Sequence, residues 1–272
     1  MARFLPPGIV RAAQIAVAMG LLAVLWRVAG GPDAARALAS ADPRWLAAAL
    51  IALTLQTVLS ALRWKITAAQ LGITLRTRIA LREYYLAQLV NQSLPGGVLG
   101  DAGRALRSRA QAGLLVSGQA VLFERLAGQA GLFVVTAIAF AATLLSPGGL
   151  EWPAWLVPPV AAFMLAGLAM PLGLGLLMRM RGRLGKATRA FCQAMVRAFL
   201  VRPVLWRQIL LSLGTTACNL AAFGFCALAV GHALPLAAIA AFVPLILLAM
   251  LVPLTISGWG LREGAAAVLF PL

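Results

Sequence analysis

Seven carboxylates stand in a chain of 272 residues, so each can be weighed singly. Four of them, Glu83, Asp101, Glu124 and Glu263, have an arginine within three positions: Arg82, Arg104, Arg125 and Arg262. All four adjoin apolar or Gly/Pro-broken segments. Ionised groups at membrane depth are costly, and they tend to face a protein interior or a wet pathway in mutual pairs. Such pairs either lock helices together or line a path for polar cargo, and the sequence leaves both open. Asp33, Asp42 and Glu151 fall in connections and read as solvated.

The most unusual stretch runs from Asn91 to Arg104 and contains Pro95, Gly96, Gly97 and Asp101. Glycines admit close backbone approach, Asn91 supplies neutral donors and acceptors, and the Arg104 fork suits phosphate. A second break, Pro253 to Glu263, has Gly258 and Gly260 before the Arg262–Glu263 pair. Two Gly/Pro-interrupted apolar segments in separate halves point toward a transporter binding site. The competing reading of each is a helix kink with a packing glycine. Soluble-phase catalysis has little to build on. The single histidine, His232, has no acid or cysteine near it in sequence, and Cys192, Cys218 and Cys226 lack metal-ligand spacing. No metal or cofactor is expected.

These residues need elements to hold them, and composition says which. Hydrophobic residues make up 62% and charged ones 11%, well below the quarter usual in soluble domains. No Lys, Arg, Asp or Glu occurs from Gln208 to Leu261, from Trp152 to Met178, or from Leu126 to Leu145. About 20 apolar residues span the hydrocarbon as a helix. The expectation is an all-α polytopic transmembrane bundle of about six to eight spans, forming one integral membrane domain over 1–272. Spans are placed near 12–26, 45–62, 126–145, 152–178, 208–230 and 235–256, with re-entrant or broken segments at 84–100 and 253–270. The first apolar run follows Arg3 and Arg11 and reads as a retained span. The apolar stretch that stops at Leu272 suggests a further span or two.

The net charge of +16 does not mark a nucleic-acid binder, because the basic residues sit between apolar runs. Most fall in 1–11, 63–82, 104–109 and 179–207. A cytoplasmic N-terminus brings all four stretches to the cytoplasmic side of a bacterial inner membrane. That orientation requires 84–100 to enter and leave on one side, or to form two short half-helices. A Pro-Gly-Gly break cannot face lipid, since its freed backbone groups would go unsatisfied. The stretch 179–207 mixes its charges with Leu184, Phe191, Met195, Phe199 and Leu200, which fits either an amphipathic surface helix or a basic loop.

Leu94-Pro-Gly-Gly-Val-Leu-Gly-Asp101 with Arg104, then Glu124-Arg125, then Gly258-Trp-Gly-Leu-Arg-Glu263 together resemble the membrane region of lysylphosphatidylglycerol synthases. Arg63-Trp64 also fits. The resemblance implies a flippase-like bacterial inner-membrane protein, a stand-alone form without the soluble synthase domain. By resemblance, Asn91, Pro95, Gly96, Gly97, Asp101, Arg104, Glu124, Arg125, Gly258, Arg262 and Glu263 are the substrate-binding candidates. The implied partners are membrane lipids: an anionic phospholipid, a glycolipid or a hopanoid-type lipid. Two alternatives stand beside lipid translocation. One is a non-transporting scaffold or accessory subunit of a lipid- or glycan-modifying enzyme, docked on 179–207. The other is an intramembrane lipid-modifying enzyme.

Overall fold

The computed structural model describes residues 15–17, 19–20, 23–24, 26–27, 31–93, 98–145, 150, 152–249 and 260–270. Pro95, Gly96, Gly97 and Gly258 lie outside the described residues, as do residues 12–14, 18, 21–22 and 25 of the expected span 12–26. The helices are α1 (Gly31–Ala39), α2 (Pro43–Gln70), α3 (Thr77–Ser93), α4 (Leu99–Leu145), α5 (Val157–Arg179), α6 (Arg183–Phe199), α7 (Arg202–Ala229), α8 (Leu236–Ala249) and α9 (Leu261–Leu269). Among the described residues, four helices are long and apolar enough to cross a membrane: α2, α4, α5 and most of α7. Along α5, Leu165, Leu168, Leu172 and Leu176 stay exposed. A helix apolar on its outside needs lipid as its solvent.

Each boundary has a local cause. The Asp42 carboxylate accepts from the Arg44 N–H at 2.8 Å, and Pro43 opens α2 where a missing N–H costs nothing. Gly72, at φ 85°, turns the chain after α2. Gly113 breaks α4 with φ 80° and ψ 165°, leaving a short arm, 99–112, and a long helix, 114–145. The short arm packs along α3 as a helical hairpin, joined by Asn91 to Gly100 and by Glu83 to Arg107.

Helices α2 and α7 run antiparallel along their whole length. At one end the Asp42 N–H donates to the Ala229 carbonyl at 2.8 Å. At the other, Gln208 Nε2 donates to Thr67 Oγ1 at 2.8 Å. Between them Ala49, Ala52 and Ala222 are buried together. Small residues let membrane helices approach closely where lipid removes the hydrophobic drive between them. The segment 183–199 is an amphipathic helix. Its stripe of Phe191, Ala194, Met195, Ala198 and Phe199 repeats at helical spacing and packs on buried Phe123 of α4. The Phe123 and Phe191 rings meet edge to face at 5.2 Å. Arg183, Lys186 and Arg197 remain exposed.

Candidate functional site

Helices α2, α3, both arms of α4, and α7 converge on one buried charged centre. Glu124, on the long arm of α4, is fully buried. Its Oε1 accepts from Arg63 Nη2 of α2 at 2.7 Å and from the Tyr84 hydroxyl of α3 at 3.2 Å. Its Oε2 accepts from Arg104 Nη2 at 3.3 Å. The same Arg104 nitrogen donates to Asp101 Oδ1 at 2.6 Å, so it bridges the two carboxylates. Asp101 also takes Nε and Nη2 of Arg125, at 2.9 and 2.8 Å. The Arg104 guanidinium lies between two rings, 4.8 Å from the centre of Trp64 and 4.5 Å from that of Tyr84. A desolvated cation gains from such ring faces. Arg63 reaches α7 through Nη1, which donates to Thr215 Oγ1 at 3.0 Å and Ser212 Oγ at 3.4 Å.

Glycine makes this approach possible. A Cβ on Gly128 would sit 2.8 Å from Arg63 Nη2. In the hairpin, a Cβ on Gly100 would collide with the Ala87 backbone carbonyl. Asn91 Oδ1 accepts from the Gly100 N–H at 2.7 Å, tying the end of α3 to the start of α4. The collision at Gly100 is with backbone, which cannot rotate away. Gly100→Ala is therefore expected to cost about 1–3 kcal/mol through forced separation of the two arms. Thermal unfolding in detergent measures it, and an unchanged transition would mean that the arms are not held this close.

Among the described residues, the centre holds three arginines and two carboxylates. One positive charge is left over. Arg63 and Arg104 are buried, whereas the Arg125 side chain is 44% exposed. The centre is also off-centre in its helices. Arg63 stands seven residues before Gln70, about 10 Å by helical rise, and about 30 Å from Pro43. The near end is the one that carries Arg76, Arg78 and Arg82.

The candidate residues therefore divide. Asp101, Arg104, Glu124 and Arg125 share one centre, and Asn91 closes the hairpin beside it. Arg262 and Glu263 instead pair with each other, Nη2 to Oε1, at 2.6 Å. Glu263 Oε2 also accepts from the Gly260 N–H at 2.7 Å and so caps α9. Among the described residues, no hydrogen bond or ion pair joins Arg262 or Glu263 to the first centre. Leu269 packs α9 against Ala238 and Phe242 of α8. Glu83 pairs with Arg107 across the hairpin, not with its sequence neighbour Arg82. Sequence reasoning left Arg63, Tyr84, Ser212 and Thr215 out of the candidate set. An arginine followed by tryptophan at the foot of an apolar run was the available signal for the first of these.

Apolar helices of spanning length, packed around an ion-paired centre with no strand among the described residues, define a polytopic α-helical integral membrane protein. The chain matches the model of the lysylphosphatidylglycerol synthase TM region over residues 11–272 and belongs to that family. The family points to a membrane protein of lipid metabolism or translocation. No curated protein and no solved structure matches the chain.

Proposed function

We propose that this protein moves a lipid, a phospholipid or one with a linked head group, between the leaflets of the bacterial inner membrane. The observation that carries the reading is the surplus positive charge of the buried centre. Ion pairing that served only to lock helices would be expected to balance. A surplus arginine held between two carboxylates and two aromatic rings is a position from which a cation can be lent to an anionic head group. With the site empty, Arg104 pairs with Asp101 and Glu124. With a head group present, it exchanges one carboxylate for the ligand. The basic excess near this end of the bundle supports a cytoplasmic position for the centre and a cytoplasmic N-terminus. Membership of a lipid-linked membrane family supports a lipid as the cargo.

The test is reconstitution into vesicles containing an acyl-labelled phospholipid, followed by chemical quenching of the outer leaflet. Vesicles with the protein should lose signal beyond the half that protein-free vesicles lose. A stable half in both would count against passive translocation and favour a scaffold, with its partner on the exposed basic face of α6.

A further inference from the structure

A cleft of about 470 Å³ opens beside the charged centre, between the turn after α2 and the short arm of α4. Its volume falls within the range of small-ligand sites, about 300–1,000 Å³. Buried Trp64 and Arg104 line it inside, and Arg76, Glu83, Arg107 and Gln111 line it further out. Gln111 is fixed by Thr74, whose N–H donates to Gln111 Oε1 at 2.9 Å. Arg107 is held by Glu83. Arg76 is exposed and has no ion-pair partner among the described residues.

The buried residues of this cleft are unusual in what they offer. Trp64 Nε1, Arg104 Nε and Arg104 Nη1 are buried N–H groups with no acceptor among the described residues. Indole and guanidinium nitrogens only donate. A buried donor without an acceptor is costly, so a cleft with such donors favours a ligand rich in acceptors. The uncompensated charge of the neighbouring centre favours an anion over a neutral polar group. Guanidinium forks match phosphate oxygens in both geometry and charge.

We infer that this cleft is a phosphate-recognition site, in which Trp64 and Arg104 donate to a phosphate group and Arg76 attracts it at the mouth. The inference rests on the lipid-translocation reading and narrows its cargo to lipids whose head group carries a net negative phosphate. A neutral hopanoid or an uncharged glycolipid would leave the same donors unmatched.

The experiment is calorimetric titration of the purified full chain in a neutral detergent. The probes are dihexanoyl phosphatidylglycerol, dihexanoyl phosphatidylcholine and inorganic phosphate. Phosphatidylglycerol should bind, and phosphatidylcholine, whose phosphate is already neutralised, should bind about tenfold more weakly. Trp64→Phe keeps an aromatic face but removes the N–H and part of a buried side chain, and Arg76→Gln alters an exposed residue. Each should weaken phosphatidylglycerol about tenfold; Arg76→Gln should melt like the unaltered protein, and Trp64→Phe should remain folded with a lowered transition. Competition by inorganic phosphate would identify the phosphate alone as the ligand. Lack of competition, with the lipid preference kept, would identify the lipid phosphodiester; both outcomes support the site. Equal binding of the two lipids, or unchanged phosphatidylglycerol affinity in both variants, overturns it. Binding in a protein that moves no lipid would retain this site and sink the translocation reading. Translocation with no lipid preference and no effect of either variant would do the reverse.

Discussion

Glu124→Gln is expected to lower the stability of the fold by about 3–5 kcal/mol, which is a large share of what holds most domains together. Glu124 is fully buried between Arg63 and Arg104. Its amide would leave three arginines facing Asp101 alone. Arg63 would keep the hydroxyls of Ser212 and Thr215 and a neutral amide oxygen, but no ion-pair partner. An uncompensated buried charge costs more than a missing pair, because desolvation remains while the attraction is lost. Replacing both partners, Arg63→Met with Glu124→Leu, should therefore be milder than Glu124→Gln alone. Thermal unfolding in detergent, with size-exclusion chromatography as a check on aggregation, measures both. A single variant that melts like the unaltered protein would remove Glu124 from its place as the anchor of the centre.

Arg104→Gln is expected to behave in the opposite way: a fold largely kept, with function lost. Without Arg104, Glu124 still has Arg63 and Asp101 still has Arg125. Charges in the centre then balance, two against two. What is lost is the stacking on Trp64 and Tyr84 and the charged donor to Asp101 Oδ1 and Glu124 Oε2; the amide that replaces it can still donate to one of these oxygens, so the stability cost should be about 1–2 kcal/mol. The contrast between these two neighbours is specific to a centre with one cation in excess. In a charge-balanced lock, removal of either sign would do similar damage.

The sequence displays the all-α membrane character openly, because uninterrupted apolar runs have no other use at this length. It also displays Asp101, Arg104, Glu124 and Arg125 as charges where charges are costly. It displays one of their pairings, Asp101 with Arg104, and not the others. Each acid was matched with the nearest arginine in sequence, yet Glu124 is bound by Arg63 and Arg104, from another helix and another arm. The reason is geometric: residues adjacent in a helix point about 100° apart, so Glu124 and Arg125 face different ways. Arg63, noted with Trp64 for its fit to the family, stayed outside the candidate set because the second span was expected to end at Leu62. Helix α2 continues to Gln70, and that extension draws Arg63 about two turns inside. Tyr84, Ser212 and Thr215 are ordinary residues in their own segments and acquire a role only through packing. Arg262 and Glu263 resemble Arg104 and Asp101 in sequence, but the capping of α9 by Glu263 gives that pair a local task of its own.

The measurement that bears most directly on the account is the transbilayer rate of acyl-labelled phosphatidylglycerol in vesicles carrying the unaltered protein or Arg104→Gln, at equal content of folded protein. Loss of a charge-assisted contact to the cargo predicts a rate lower by about thirtyfold or more in the variant, with its melting transition close to that of the unaltered protein. Equal rates from two equally folded proteins would contradict the claim that the surplus charge of the buried centre carries the head group.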